Sequence, residues 1–180
     1  MGFVQVHLIP HVRDAGFTHL TNASAQFILA LGGLAGALLA GSMSDRVGRR
    51  RPLALTFVCR GLAYLALLVL GVWRTPLVLY TAVILMGLSW SSTISLLATT
   101  CADLYGPRSQ GSVFGLVFGV MEGGATFGAW LPGLLYDHSG TYPSPLFLNV
   151  FVAWVASGVA LGLREWWGQP HNIQPDSLST

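Results

Sequence analysis

Apolar residues along this chain come in long unbroken runs, and the runs have the length of a lipid bilayer. Five of them, 25–44, 52–72, 76–100, 113–135 and 145–163, approach or exceed the ~20 mostly apolar residues that a spanning helix needs. The short connectors carry proline, glycine, aspartate and arginine, the residues that punctuate helices. No run alternates with the period of a strand, and lipid leaves only helices and closed barrels able to satisfy their own backbone. The pattern predicts an all-α membrane protein with five complete transmembrane helices. A sixth apolar stretch, 1–12, is closed by Arg13-Asp14-Ala15-Gly16 and is only about half as long as a span. It reads as the outer half of a truncated first helix, so Met1 is not expected to be the natural start of the complete protein; a short interfacial helix is the alternative.

Composition agrees with this picture. The chain is 53% hydrophobic and only 9% charged, with a mean hydropathy of +0.62. A soluble domain carries about a quarter charged residues, so this chain cannot cover a water-facing surface. A net charge of +2 is too small to suggest a nucleic-acid partner, and the basic residues, all nine of them arginine, gather at a helix junction instead of along a face. Cys59 lies inside an apolar run and Cys101 directly at the end of one, and both read as small packing residues.

That junction is the densest chemistry in the chain. The run 25–44 ends in Asp45-Arg46-Val47-Gly48-Arg49-Arg50-Arg51, and the next run starts at once. Placing this loop in the cytoplasm puts Arg46, Arg49, Arg50, Arg51, Arg108 and Arg164 on one side and Arg13 and Arg74 on the other, in line with the positive-inside rule. The tail 164–180 then lies in the cytoplasm. It is polar and proline-bearing, expected to be disordered, with Trp166 and Trp167 suited to the headgroup layer.

With Gly41 in front, Gly41-Ser42-Met43-Ser44-Asp45-Arg46-Val47-Gly48-Arg49-Arg50-Arg51 resembles the G-x-x-x-D-R-x-G-R-R signature loop of the major facilitator superfamily, with Met43 departing from the more usual leucine. Tyr105-Gly106-Pro107-Arg108-Ser109-Gln110-Gly111 is similar to the loop before the eleventh helix of such carriers. The segment 128–140, ending Asp137-His138-Ser139-Gly140, is similar to the end of that helix and the turn before the twelfth. His7-Leu8-Ile9-Pro10-His11-Val12-Arg13-Asp14-Ala15-Gly16 looks like the end of a seventh helix in the branch that includes monocarboxylate and oxalate/formate carriers. The resemblance implies half of a major facilitator fold: residues 1–163 as the C-terminal six-helix transmembrane half-domain, 164–180 as its tail, and an N-terminal six-helix half as a missing partner.

The resemblance also assigns roles. Asp45 would hold the end of a helix in the opposite half, latching the outward-facing state, since a carboxylate near a helix N-terminus meets unpaired amides and partial positive charge. Arg46, Arg49 and Arg50 would bind anionic headgroups or C-terminal carbonyls, or only set topology. Gly48 permits the turn. Gln5 and His7 would face the solute cavity, because the seventh helix lines the pathway in this family. His7 and His11 also have a metal-ligand spacing, but Pro10 intervenes and no third ligand is evident, so no metal and no cofactor are expected. Trp90 and Ser91, with Ser92, Thr93, Ser95, Thr99 and Thr100, could face the same cavity, although serine and threonine can instead satisfy their own helix carbonyls.

Two charges fall inside spans, where they are costly and suggest function. By residue count Glu122 lies ~16 Å and Arg60 ~12 Å from the signature-loop side. They could form a buried ion pair. Glu122 could instead be a protonatable coupling group, with transport and packing equally open. Arg60 falls on a helix that is peripheral in the family and is read as structural. Small-residue stripes at Gly32, Gly36 and Ala40, and at Gly111, Gly115, Gly119 and Gly123, let backbones approach closely, either within this half or against the opposite one. No paired carboxylates share a soluble cleft and no Ser-His-Asp set can be placed, which points away from an enzyme. The expected function is secondary active transport of a small solute by alternating access. An organic anion such as a monocarboxylate is preferred, possible proton coupling is included, and the cell (inner) membrane is the expected location. Drug efflux and a truncated non-transporting membrane subunit are the alternatives.

Overall fold

The computed structural model describes residues 18–139 and 143–162. Among these the chain is helical throughout, with no strand. Helix α1 is His19–Val47, α2 is Arg50–Leu70, α3 is Pro76–Gly106 and α4 is Arg108–Leu131. The last two belong to one helical stretch, Pro76–Ser139, broken only at Gly106. Helix α5 is Pro143–Gly162. All five are long and apolar enough to cross a membrane. The partial helix 1–12 and the tail 164–180 lie outside the described residues.

The helix ends follow local chemistry more than hydropathy. Helix α1 starts at 19, not 25, because Thr18 caps it, its side chain accepting from the Thr21 amide at 3.3 Å. The polar turn that follows is tied across the bundle: the Ser24 and Tyr80 hydroxyls share a hydrogen bond of 2.9 Å. Pro52 sits in the first turn of α2 and Pro76 opens α3, positions where the missing amide costs nothing. Both junctions at the signature-loop end turn on glycine. Gly48 has φ 82°, ψ 172° and Gly106 has φ 73°, ψ 167°, a region that only glycine occupies readily.

Helices α1 and α2 each pack on α3 and hardly on each other, while α5 covers α2. The apolar core sits toward the end away from the signature loop. Ala63, Tyr64, Leu67 and Leu70 of α2 meet Leu79, Ala82, Val83 and Met86 of α3, with Ala25 of α1 and Leu146 and Val150 of α5 closing it. Each set recurs every three or four residues, one helix face. Helix α1 has the reverse of a soluble helix: Ala25, Gly33, Gly36, Ala40 and Ser44 are buried, and Phe27 and Leu38 are 65% and 67% exposed. Small residues inward and large apolar ones outward suit lipid, where close backbone approach rather than hydrophobic collapse joins helices.

The two small-residue stripes behave differently. Gly32 and Gly36 lie against the backbone of α3 at Ile84–Leu88, so this stripe serves packing inside the bundle. A Cβ at Gly111, Gly115, Gly119 or Gly123 would meet nothing within 4 Å. The face of α4 that carries them is open among the described residues.

Candidate functional site

The signature loop is organised by one guanidinium. Arg49 follows Gly48 directly, and the glycine-only turn swings its side chain back under the end of α1. Nη1 donates to the buried Ser44 hydroxyl at 2.7 Å and to Asp45 Oδ1 at 3.2 Å. Nε and Nη2 both donate to Asp103 Oδ2, at 3.1 Å and 2.8 Å. The fork therefore ties the C-terminal end of α1 to that of α3, across 54 residues of sequence. Asp45 and Asp103 both lie near helix C-termini, where the partial charge is negative and a carboxylate is unfavourable. The cation between them offsets that repulsion. The Arg49 side chain is 17% exposed, Asp103 37% and Asp45 72%. Asp45 is thus oriented by Arg49 yet left largely open for a further contact.

Asp103 was not among the residues singled out from sequence. Its signal was available: it is one of seven acidic residues, three positions before the second glycine turn. Arg46 and Arg51 are exposed and Arg50 is half-buried, and none of the three forms an ion pair among the described residues. Among the described residues, a Cβ built on Gly41 would meet nothing within 4 Å beyond its own helix turn.

Arg60 is 8% exposed, in the middle of α2. Nη2 donates to the Ser89 carbonyl at 3.0 Å and to Thr93 Oγ1 at 2.9 Å. The guanidinium lies 5.3 Å from the centre of the Phe57 ring, within cation–π reach. Its Nε has no hydrogen-bond partner among the described residues. The structure does not bring Arg60 and Glu122 together: no ion pair joins them among the described residues. Glu122 sits half-buried on α4, its carbonyl accepting from the Thr126 hydroxyl at 2.9 Å.

The polar run of α3 is largely self-satisfied. Ser89 donates to the Met86 carbonyl, Ser92 to Leu88, Thr93 to Ser89, Thr99 to Ser95 and Thr100 to Leu96. Trp90 packs against the apolar core, and the Ser91 hydroxyl lies 2.8 Å from where a Cβ on Gly33 would stand. Gln5 and His7 lie outside the described residues. Below the signature loop α1 and α2 part around a cavity of about 410 Å³, lined by residues of α1, α2 and α3 with Arg46 among them.

The Arg49 network makes a ranked prediction. Asp103→Asn should lower stability by about 1 kcal/mol or less, because the pair is partly screened by water. Asp45→Asn should change it hardly at all, and Arg49→Lys should lose most of the effect of the whole set, since an ammonium cannot span three acceptors as the fork does. Thermal unfolding in detergent micelles reads the order; a larger loss from Asp45→Asn than from Asp103→Asn would contradict it.

The Major Facilitator Superfamily sequence model matches residues 2–176. The chain is 30% identical over 145 residues to the uncharacterized MFS-type transporter YcxA of Bacillus subtilis (strain 168), covering 79% of this chain and 35% of that protein. It is 28% identical over 165 residues to monocarboxylate transporter 10 of Mus musculus, covering 89% of this chain and 31% of that one. The rat protein of the same name is 27% identical over the same length. The chain therefore spans about a third of the length of the curated relatives it matches. Five bilayer-length helices, a signature loop built as a glycine turn and an arginine fork, and a family match over nearly the whole chain lead to one conclusion: this chain belongs to the major facilitator superfamily.

Proposed function

We propose that this chain is the C-terminal half of a secondary active transporter that moves a small organic anion, a monocarboxylate by preference, by alternating access. The observation that carries the reading is the Arg49 fork. It ties the ends of α1 and α3 together and leaves Asp45 largely exposed, as a latch between two halves requires. The monocarboxylate preference rests on the resemblance of 7–16 to a seventh helix of that branch, on the similarity to a protein named monocarboxylate transporter 10, and on the cation buried at Arg60. In this reading the signature loop and the tail are cytoplasmic and the protein resides in the cell membrane. Gln5 and His7 face the pathway, and Glu122 is the group that couples transport to protons.

The test is uptake of a labelled monocarboxylate into proteoliposomes holding the complete carrier, under an imposed pH gradient. Saturable uptake, competed by other monocarboxylates and absent with this chain alone, is the expected result. Transport restricted to amphipathic cations would move the assignment to drug efflux. Glu122→Gln should abolish pH-driven accumulation while leaving solute exchange largely intact, because it removes the titrating proton and keeps the side chain's shape. Accumulation at the parent level in that variant would make Glu122 a bystander.

A further inference from the structure

The cavity beneath the signature loop has the shape and charge of a lipid seat. Its walls are Leu39 and Met43 of α1, Leu55 and Cys59 of α2, and Leu88 of α3, with Arg46 at the loop end. Leu39 and Leu55 are exposed, so the space opens sideways between α1 and α2, where the two helices barely touch. From Gly36 to Arg46 it follows α1 for ten residues, about 15 Å at 1.5 Å per residue. That is about half of a ~30 Å hydrocarbon core, one leaflet deep. The cation therefore stands at the depth of the headgroups and the apolar walls at the depth of an acyl chain. Arg49 is committed to Asp45 and Asp103, whereas Arg46 and its neighbours Arg50 and Arg51 form no ion pair among the described residues. Arg46 is the cation that lines the slot, and a guanidinium over apolar walls favours an anion there.

We propose that this groove binds one anionic phospholipid of the surrounding bilayer, an acyl chain between α1 and α2 and the phosphate on Arg46. A zwitterionic lipid offers the same chain but no net charge to Arg46, so the site selects by headgroup. Because α1 and α3 are clamped at this end by Arg49, a chain wedged between α1 and α2 would brace a seam that those two helices leave open.

The test uses the chain in nanodiscs of phosphatidylcholine, doped at low mole fraction with phosphatidylglycerol carrying a diazirine in one acyl chain. Mass spectrometry should find the cross-links on Leu39–Met43 and Leu55–Cys59. Phosphatidylcholine with the same diazirine chain should label these segments at least fivefold less. Arg46→Gln should reduce phosphatidylglycerol labelling to that lower level, and Arg46→Lys should retain most of it, since phosphate accepts a point charge. Cys59→Phe, which fills the slot, should displace the label with Arg46 intact. Equal labelling by both lipids, or labelling indifferent to Arg46, would overturn the proposal. So would equal protection of both segments accompanied by a dimeric species in native mass spectrometry, which would assign the groove to a second copy of the chain. No solute is present in these measurements, so their failure is separate from failure of the transport reading.

Discussion

Gly36→Ala should be among the most damaging single-atom additions in the described bundle. A Cβ at Gly36 would stand 2.7 Å from the Cα of Leu88 and 2.8 Å from its carbonyl carbon, with the Leu88 oxygen nearer still. These are backbone atoms of α3, which no rotamer change can move aside, so the helices must separate. Overpacking of this kind costs about 1–3 kcal/mol, and Gly36→Val should exceed that. Gly87 approaches the same seam from the other side, where a Cβ would lie 3.1 Å from Gly32 Cα and from Gly33 N. If either substitution separates the same two helices, the double variant Gly36→Ala with Gly87→Ala should cost clearly less than the sum of the two. Gly115→Ala is the control. A Cβ there meets nothing within 4 Å, so reduced backbone freedom in the unfolded chain should stabilise by up to roughly 0.5–1 kcal/mol. Unfolding by denaturing detergent measures all five variants. Equal effects at Gly36 and Gly115 would mean that the α1–α3 contact does not govern stability.

The second large effect is expected at Arg60, and it should appear in transport more than in stability. Its partners do not depend on it: the Thr93 hydroxyl donates to the Ser89 carbonyl at 2.9 Å, so removing the guanidinium strands neither. Arg60→Met fills comparable space without a buried charge, and replacement of buried charge by apolar volume is often neutral or stabilising. The field of the cation is another matter. At an effective dielectric of 20, a positive charge lowers the energy of a carboxylate about 10 Å away by about 1.7 kcal/mol, or more than tenfold in affinity. In the complete carrier, where we propose that the solute carboxylate binds within about 10 Å of Arg60, Arg60→Met should raise KM for an anionic solute by about tenfold and leave that of a neutral analogue unchanged. Arg60→Lys should stay near the parent value. Loss of stability with unchanged KM would make Arg60 a purely structural tie between α2 and α3.

Much of the architecture is legible in the sequence. Long apolar runs closed by arginine, glycine and proline can satisfy their backbone in lipid only as helices, and all five complete runs did. Hydropathy misplaced ends such as that of α1, where Thr18, Thr21 and Ser24 look like loop but cap the helix and tie it to α3. Gly48 was readable as a turn, because glycine's freedom is a property of the residue itself.

What the sequence could not decide was which groups meet. Arg49 looked like any of four clustered arginines. Only the fold brings Asp103 to it, and no local pattern encodes a contact between residues so far apart in the chain. Arg60 and Glu122 looked like possible partners by depth alone, yet depth fixes position along a helix axis and not the face or the neighbour. The two glycine stripes are alike as sequence, and packing against α3 distinguishes the first from the second. Local chemistry determined the helices, their turns and their membrane setting. Tertiary structure decided the pairing, because contacts between helices depend on crossing and rotation that no single helix contains.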